Sequence, residues 1–456
     1  MKPSITQPTI VAQASAVGSA GIGVIRLSGA DALAIAKHLL RFSKTPRILP
    51  RQAHFVEFID RDQQLIDQGL VLYFPAPHSF TGEDVVELQA HGAQVVLQQL
   101  IATSVHFGAQ LAKPGEFSQR AFLNGKLDLL QAEAIADLIA ASSARAARAA
   151  LQSLTGVFSV QIHQLADRIK TMRVQIEAAI DFSDEAIETH ALQSLELKQL
   201  CQHVKHLMAS AQKGLTLNQG VRIGLVGKPN VGKSRLMNAL LGYDRAMVTA
   251  IAGTTRDTLQ ESFHIEGVRF EIVDTAGLHN SDDALEQEGM RRTRQALATC
   301  DWILVVQDIR QPESLLSYLQ ALGIDQAMDL LLPRCIGVRN KSDLLITPLP
   351  EDAQQSWLVI SAEQGHGLEQ LAQHLLARAQ LQHGEETPFM ARRRHLLALQ
   401  KVVFHLQAAE DLLAEQVLDL LAEELRLAHH HLGEMVGTFS SDDLLGEIFS
   451  TFCIGK

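Results

Sequence analysis

From Thr6 to about Phe122 the apolar residues come in short compact or alternating runs, TIVAQAS, GVIRLSG, QGLVLYF and DVVELQ, broken by Gly and Pro. Such runs bounded by turn formers predict strands with helices between them, an α+β region. Between Gly125 and about Gly214 proline disappears and apolar residues fall at helical spacing, as in LDLLQAEAIADLIAASSARAARAALQSL, which predicts long packed helices. At Val221 the strand-like VRIGLVG opens a segment in which VRFEIVD, WILVVQD, CIGVRN and WLVIS alternate with helix-length connections. That is the pattern of a parallel α/β sheet. After about Gln380 the helical style returns and runs to the end. One helical domain whose chain detours through an inserted α/β domain accounts for the interruption, because domain termini commonly lie close together at the surface. The expected boundaries are 1–123 for the N-terminal α+β domain, 124–219 for the first helical part, 220–379 for the insert and 380–456 for the second helical part. No repeat of solenoid period and no low-complexity tract is present.

Composition sharpens this picture. A chain of 456 residues carries a prior of about three domains. Aromatics are only 5% of the residues, so the core is aliphatic and Ala-rich, as helices favour. The net charge of −11 gives no global positive field to draw the protein onto nucleic acid or an anionic membrane, and any RNA contact must be local. Arg145 and Arg148 on one helix face and Arg392 to Arg394 are local candidates, against the plainer reading of a solvated helix surface. Cys201, Cys300, Cys335 and Cys453 form no C-x-x-C pair, which argues against a zinc ribbon or a disulfide framework. No apolar run reaches the length of a membrane span, and the start, MKPSITQPTIVAQAS, lacks a signal peptide's apolar stretch. The expectation is a cytoplasmic protein with no membrane partner.

The candidate chemistry begins at Gly227 to Ser234, GKPNVGKS, which follows the strand-like VRIGLV and precedes the helix-like RLMNALLG. Strand, Gly-rich loop and helix in that order make a phosphate-binding loop. Gly227 and Gly232 let backbone amides approach the phosphates, Lys233 supplies a point charge to the β and γ phosphates, and Ser234 offers its hydroxyl to Mg²⁺. Asp274-Thr275-Ala276-Gly277 ends VRFEIVD, where the carboxylate can hold the Mg²⁺ shell through water and the Gly277 amide can sense the γ-phosphate. Asn340-Lys341-Ser342-Asp343 ends CIGVRN, and the Asp343 carboxylate can accept from the ring N–H and amino group of guanine, a donor pair that adenine lacks. Ser361-Ala362 follows WLVI and offers a backbone amide to guanine O6, with the acidic Glu363 in a position where a basic residue is common. A solvated loop or a strand end would explain each motif alone; their shared order and strand-end placement point to a GTP-binding domain.

The catalytic parts are less ordinary. The Gln that orients water just after D-x-x-G in Ras-like enzymes is Leu278 here, and leucine cannot hydrogen-bond water. Glu286, in the acidic segment beginning at Asp282, is the candidate replacement, with a solvated charge or helix-start residue as the alternative. No arginine finger is evident. Asn230 could instead offer a side-chain oxygen to a monovalent cation that supplies the positive charge.

Beyond these motifs the chain resembles the MnmE (TrmE) family of tRNA-modification GTPases over nearly all its length. The resemblance rests on GVIRLSG, SFTGEDVVELQAHG and KPGEFSQRAFLNGKLDLLQAEAIADLI near the start, TAIAGTTRD in the insert, and ARRRH, SDDLLGEIFSTF and Cys453-Ile454-Gly455-Lys456 at the end. It implies a folate-binding, dimerising N-terminal domain, a discontinuous helical domain and an inserted Ras-like P-loop G domain. The implied folate ligands are Arg26, Glu87, Lys126 and Lys456, types suited to a pterin edge and a glutamate tail; surface salt bridging is the bland alternative for each. Nucleotide contacts are implied at Asn230, Val231, Gly232, Lys233, Ser234 and Arg235, along Thr249, Ala250, Ile251, Ala252, Gly253, Thr254 and Thr255, at Asp274, Thr275, Ala276 and Gly277, and at Asn340, Lys341, Asp343, Ser361, Ala362 and Glu363. K⁺ is implied at Asn230, Thr249, Ile251 and Thr254, and Mg²⁺ at Ser234 and Thr255. Glu286 falls on the family's water-positioning glutamate. Cys453 falls on a residue needed for modification, against the reading of a small buried hydrophobe. The segment Gly18 to Gly23 lacks G-x-G-x-x-G spacing and is expected to be a turn.

The function so implied is that of a homodimeric, K⁺-dependent GTPase. It would work with a GidA/MnmG-type flavoprotein, carrying FAD and using NADH, in a heterotetramer or larger complex. Together they would add an aminomethyl or carboxymethylaminomethyl group to C5 of the wobble uridine of certain tRNAs, with a 5-formyl-tetrahydrofolate-type one-carbon donor. A ribosome-assembly or signalling GTPase without modification chemistry is the alternative.

Overall fold

The alternating runs near the start become strands. The computed structural model describes residues 7–41, 48–181, 190–247, 261–274, 297–324, 331–345, 357–379, 381, 387–439, 442–453 and 455. In the N-terminal region β1 (Ile10–Gln13), β2 (Ala20–Ser28), β3 (Leu40–Arg41), β4 (His54–Ile59), β5 (Leu65–Phe74), β6 (Val85–Gly92) and β7 (Gln110–Leu111) form one sheet in the order β3-β4-β5-β6-β2-β1-β7. Its pairings are antiparallel except for β1 with β7. Helices α1 (Ala32–His38) and α2 (Gln94–His106) contribute to a core in which Ile25, Leu27, Val71, Val86 and Leu88 of the sheet meet Leu97 and Leu100. Short α3 (Glu116–Leu123) carries Phe117 into a smaller cluster with Ile10 and Ala12.

The Gly18–Gly23 segment departs from the turn expected of it. Residues from Ala20 onward are strand, with an irregularity in the pairing with β6 between Ala20 and Gly23. A Cβ on Gly23 would lie 2.6 Å from a Leu97 methyl, so glycine there admits α2 onto the sheet.

The proline-free stretch forms α4 (Leu129–Ala140), α5 (Ala144–Leu154), α6 (Val157–Asp181) and α7 (His190–Gln219). On α6, Phe158, Ile162, Leu165, Ile169, Met172 and Ile176 are all buried, a strict four-three spacing that makes one apolar stripe.

The insert is a six-stranded sheet in the order β13-β12-β11-β8-β10-β9. Its elements are β8 (Val221–Val226), α8 (Lys233–Met247), β9 (Glu261–Ile265), β10 (Val268–Asp274), β11 (Trp302–Asp308), α9 (Leu315–Ala321), β12 (Cys335–Asn340), β13 (Trp357–Val359) and α10 (Leu368–Arg378). Only β9 runs antiparallel to its neighbour. Every residue of β12 and the middle five of β11 are buried, as parallel strands covered on both faces require. The chain then returns to helix in α11 (Arg393–Ala414), α12 (Leu418–Val436) and α13 (Asp442–Ser450).

Buried Leu421, Leu425, Ala428, Leu432 and Met435 repeat the four-three spacing on α12, and this helix packs on α6. Each fully buried Leu or Met among them contributes about 1.5–3 kcal/mol. Two helical segments on either side of the α/β sheet in sequence therefore share one core, so the helical domain is discontinuous and the Ras-like domain is inserted in it. Contacts group the chain into two units. One comprises Met1–Ala136, Ser153–Cys201 and Lys401–Lys456; the other comprises Asp137–Gln152 and Gln202–Gln400. Among the described residues no helix is long and apolar enough to cross a membrane.

Candidate functional site

The phosphate loop joins β8 to α8 by a tight reversal. Asn230 and Gly232 both have positive φ, 62° and 99°. A Cβ on Gly227 would meet the Val306 carbonyl at 2.3 Å and one on Gly232 the Asn340 Nδ2 at 2.3 Å, so both positions need glycine. Lys233 Nζ donates to the carbonyls of Gly227 (2.7 Å) and Lys228 (3.0 Å), arching over the loop. Ser234 is exposed at the second position of α8. Asn230 is exposed as well, and its side-chain amide makes no hydrogen bond among the described residues, which leaves its oxygen available to a cation.

The other motifs converge on this loop because parallel strands end on the same side of the sheet. Asp308 and Asn340 are register partners at the ends of β11 and β12, and Asp274 ends β10 opposite Leu225 of β8. Buried Asn340 joins three loops: its Nδ2 donates to the Val231 carbonyl (3.0 Å) and its Oδ1 accepts from the Ala362 amide (3.0 Å). Lys341, at φ 70°, reaches the Asn230 carbonyl with Nζ (2.7 Å) and also the Asp308 carboxylate (2.9 Å). The Ser361 hydroxyl donates to Asp343 Oδ1 (2.5 Å) and accepts from the Gln364 amide (3.1 Å), which orients the carboxylate suited to guanine. Arg235 pairs with Glu363, so the acidic residue is taken up by a helix cation. Thr249, Ala250, Ile251, Ala252, Gly253, Thr254, Thr255, Thr275, Ala276, Gly277 and Glu286 lie outside the described residues.

A second cluster is in the N-terminal sheet. Arg26 and Glu87 are register partners on β2 and β6, and the guanidinium donates from Nε (3.0 Å) and Nη2 (2.8 Å) to Glu87 Oε1. Glu87 Oε2 has no partner among the described residues and can accept from a further donor. The Arg26 guanidinium lies 5.6 Å from the Phe80 ring centroid and 5.9 Å from that of Phe117. A partly buried ion pair beside aromatic rings suits a planar heteroaromatic ligand. Lys126 is exposed and donates to the Pro77 carbonyl (2.9 Å), which ties it to the loop carrying Phe80.

The C-terminal segment comes to the same sheet. The Gly115 amide donates to the Cys453 carbonyl (3.4 Å), and a Cβ on Gly455 would fall 2.0 Å from the Gln13 carbonyl at the end of β1. Cys453 is exposed, which sets aside its reading as a buried hydrophobe; Cys201, Cys300 and Cys335 are buried. Lys456 lies outside the described residues.

Two family models match the chain, "GTP-binding protein TrmE N-terminus" over residues 9–126 and "MnmE helical domain" over 129–453. A Xylella fastidiosa protein named tRNA modification GTPase MnmE is 48% identical over 452 residues, covering 98% of each chain. Proteins of the same name are 48% identical in Xanthomonas campestris pv. campestris, over 98% of this chain and 99% of that one, and 47% identical in Bordetella petrii, over 99% and 100%. This chain belongs to the MnmE (TrmE) family of tRNA-modification GTPases.

Several residues that sequence reasoning passed over stabilise the sites of this MnmE family member. Arg120, on α3 and 2% exposed, donates to Glu83 (3.1 Å), Glu116 (2.8 Å) and the Pro8 carbonyl (2.9 Å), while the Ser28 hydroxyl donates to Glu83 (2.7 Å). The SFTGED and GEFSQRAF motifs are therefore joined by a shared ion network. In the G domain, Lys228 of the phosphate loop donates its amide to the Tyr318 hydroxyl (3.0 Å) and its ammonium to Glu313 (2.5 Å). Only the composition of the loop after β11, with Asp308, Arg310 and Glu313 in six residues, signalled a polar site there. Of the arginines considered for RNA, Arg392 is bonded to Asp137 (2.8 Å), whereas Arg148 and Arg393 are exposed.

Proposed function

We propose that this member of the family is a K⁺-dependent, Mg²⁺-using GTPase that acts as a homodimer in the cytoplasm. With a GidA/MnmG-type flavoprotein that carries FAD and uses NADH, it adds an aminomethyl or carboxymethylaminomethyl group to C5 of the wobble uridine, position 34, of certain tRNAs. The observation that carries this reading is the full-length family match, supported by two separate ligand-ready clusters in one chain. A GTPase acting only as a switch would have no use for the second.

In the G domain, Lys233 and the loop amides bind the phosphates, and Asp343, oriented by Ser361, selects guanine. Ser234 and Thr255 would hold Mg²⁺, and Asn230, Thr249, Ile251 and Thr254 would hold K⁺; both ions, when bound, neutralise charge developing on the phosphates. The free Asn230 side-chain amide fits that role. Glu286 is assigned to orient the attacking water. In the N-terminal domain Arg26, Glu87, Lys126 and Lys456 hold a 5-formyl-tetrahydrofolate-type cofactor, whose chemistry when bound is one-carbon donation. Cys453 takes part in the modification.

The decisive experiment is nucleoside analysis of tRNA from cells lacking the gene, with and without a plasmid-borne copy. Loss of the modified wobble uridine, restored by the plasmid, is expected. Unchanged nucleosides would refute the modification role and leave a ribosome-assembly or signalling GTPase.

A further inference from the structure

The phosphate loop is anchored to an acidic residue that none of the nucleotide motifs contains. Asp308 closes β11, and its carboxylate accepts from the Lys341 ammonium at 2.9 Å through Oδ2. The same ammonium donates to the Asn230 carbonyl at 2.7 Å. Asn230 and Lys341 both have positive φ, 62° and 70°; asparagine tolerates that conformation, whereas a lysine holds it where surrounding contacts support it. The three residues form one chain of bonds, carboxylate to ammonium to loop carbonyl, spanning the ends of β11 and β12 and the middle of the phosphate loop.

Arg310 completes the arrangement. It donates Nε to Asp308 Oδ1 (3.0 Å) and Nη2 to Oδ2 (2.7 Å), and its own amide bonds Oδ1 (3.0 Å). Its side chain remains 53% exposed against 13% for Asp308. The Arg310 bonds, with that of Lys341, outweigh desolvation and hold the Asp308 carboxyl well below the usual carboxylate range. The carboxylate is thus a fixed negative charge between an inner cation that touches the loop and an outer one that does not.

We propose that Asp308 is a positioning residue for nucleotide binding, acting through Lys341 on the backbone of Asn230. Removing its charge leaves Lys341 facing Arg310 with no anion between them, and the ammonium loses the partner that fixes its direction towards the loop carbonyl. The loop then samples conformations in which its amides no longer converge on the phosphates, and bound nucleotide escapes faster. This inference rests on the GTPase reading above.

The test is Asp308→Asn in the full-length chain. Release of a fluorescent GDP analogue and GTP turnover are measured in K⁺ and in Na⁺, alongside the thermal midpoint. Loss of one charge-assisted hydrogen bond predicts release about tenfold faster, or more. The thermal midpoint of the nucleotide-free protein should stay near the parent's, and Asp308→Glu should recover part of the difference. Arg310→Gln removes the outer cation alone and should leave release within about twofold of the parent; it keeps the idea testable if Asp308→Asn does not fold. Unchanged release in Asp308→Asn overturns the proposal, as does tenfold faster release in Arg310→Gln, or a loss of thermal stability matched by equal losses in binding and turnover with the K⁺ to Na⁺ ratio untouched. A parent protein that binds no guanine nucleotide defeats the GTPase reading itself, an outcome separate from any of these.

Discussion

Replacing Asn340 tests whether the nucleotide loops are held together by one side chain. In Asn340→Ala the Val231 carbonyl and the Ala362 amide each lose a 3.0 Å partner. Each hydrogen bond contributes about 0.5–1.5 kcal/mol net, and a buried group left unpaired costs about 1–3 kcal/mol. Val231 is buried but Ala362 is half-buried, so water can rescue the second site and not the first. The expected loss is about 2–4 kcal/mol of local stability.

Asn340→Asp sharpens the comparison. It keeps the acceptor for Ala362 but turns the donor facing Val231 into a carboxylate oxygen opposite a carbonyl oxygen, so the phosphate loop should suffer at least as much as in the alanine variant. The assay is amide hydrogen exchange of the intact chain. Ala362 should lose protection by about ten- to a hundredfold in the alanine variant and little in the aspartate variant, while amides of residues 227–234 should exchange faster in both. Guanine-nucleotide affinity should fall in parallel. Equal protection of Ala362 in parent and Asn340→Ala would refute the bridging role.

Three further outcomes are expected. A thiol reagent at pH 8 should label Cys453 first: burial excludes Cys201, Cys300 and Cys335 and pushes the thiols of Cys300 and Cys335 up to about 11, so these two should react only after unfolding. Rapid labelling of two or more thiols in the native protein would contradict the fold. Asn230→Ala should erase the difference between turnover in K⁺ and in Na⁺ while guanine nucleotide still binds; a retained difference would remove Asn230 from the cation site. Glu87→Gln and Arg26→Ala should each weaken 5-formyl-tetrahydrofolate binding by calorimetry by tenfold or more, and unchanged affinity would reduce the pair to a structural ion pair.

What the sequence made legible was local. Strand ends such as VRIGLVG and CIGVRN stand out because a buried apolar run gives way abruptly to Gly or to polar residues, and the chemistry sits at that transition. Strand β4, HFVEFI, escaped notice because its alternation is short and sits among polar residues, and the exposed Phe55 blurs its faces. The expected turn at Gly18–Gly23 misled for a related reason. Gly23 serves close packing against Leu97, whereas Gly18 and Gly21 meet no such neighbour. Long-range bonds were beyond reach: Lys341 meets Asn230 across 111 positions and Arg120 meets Glu83 across 37, and nothing in either local pattern names the partner.

The shared core of α6 and α12 has a bearing on how the protein is made. Translation delivers α6 first and its partner only after the whole inserted domain, a wait of roughly 10–50 s at ordinary elongation rates. Through that interval the buried stripe from Phe158 to Ile176 has no α12 to cover it, while the strands of the insert, Val221 to Val359, are all available to one another. The guest can thus finish folding before its host. Slowing synthesis within the insert should therefore raise aggregation of the nascent chain far more than slowing it after Val436.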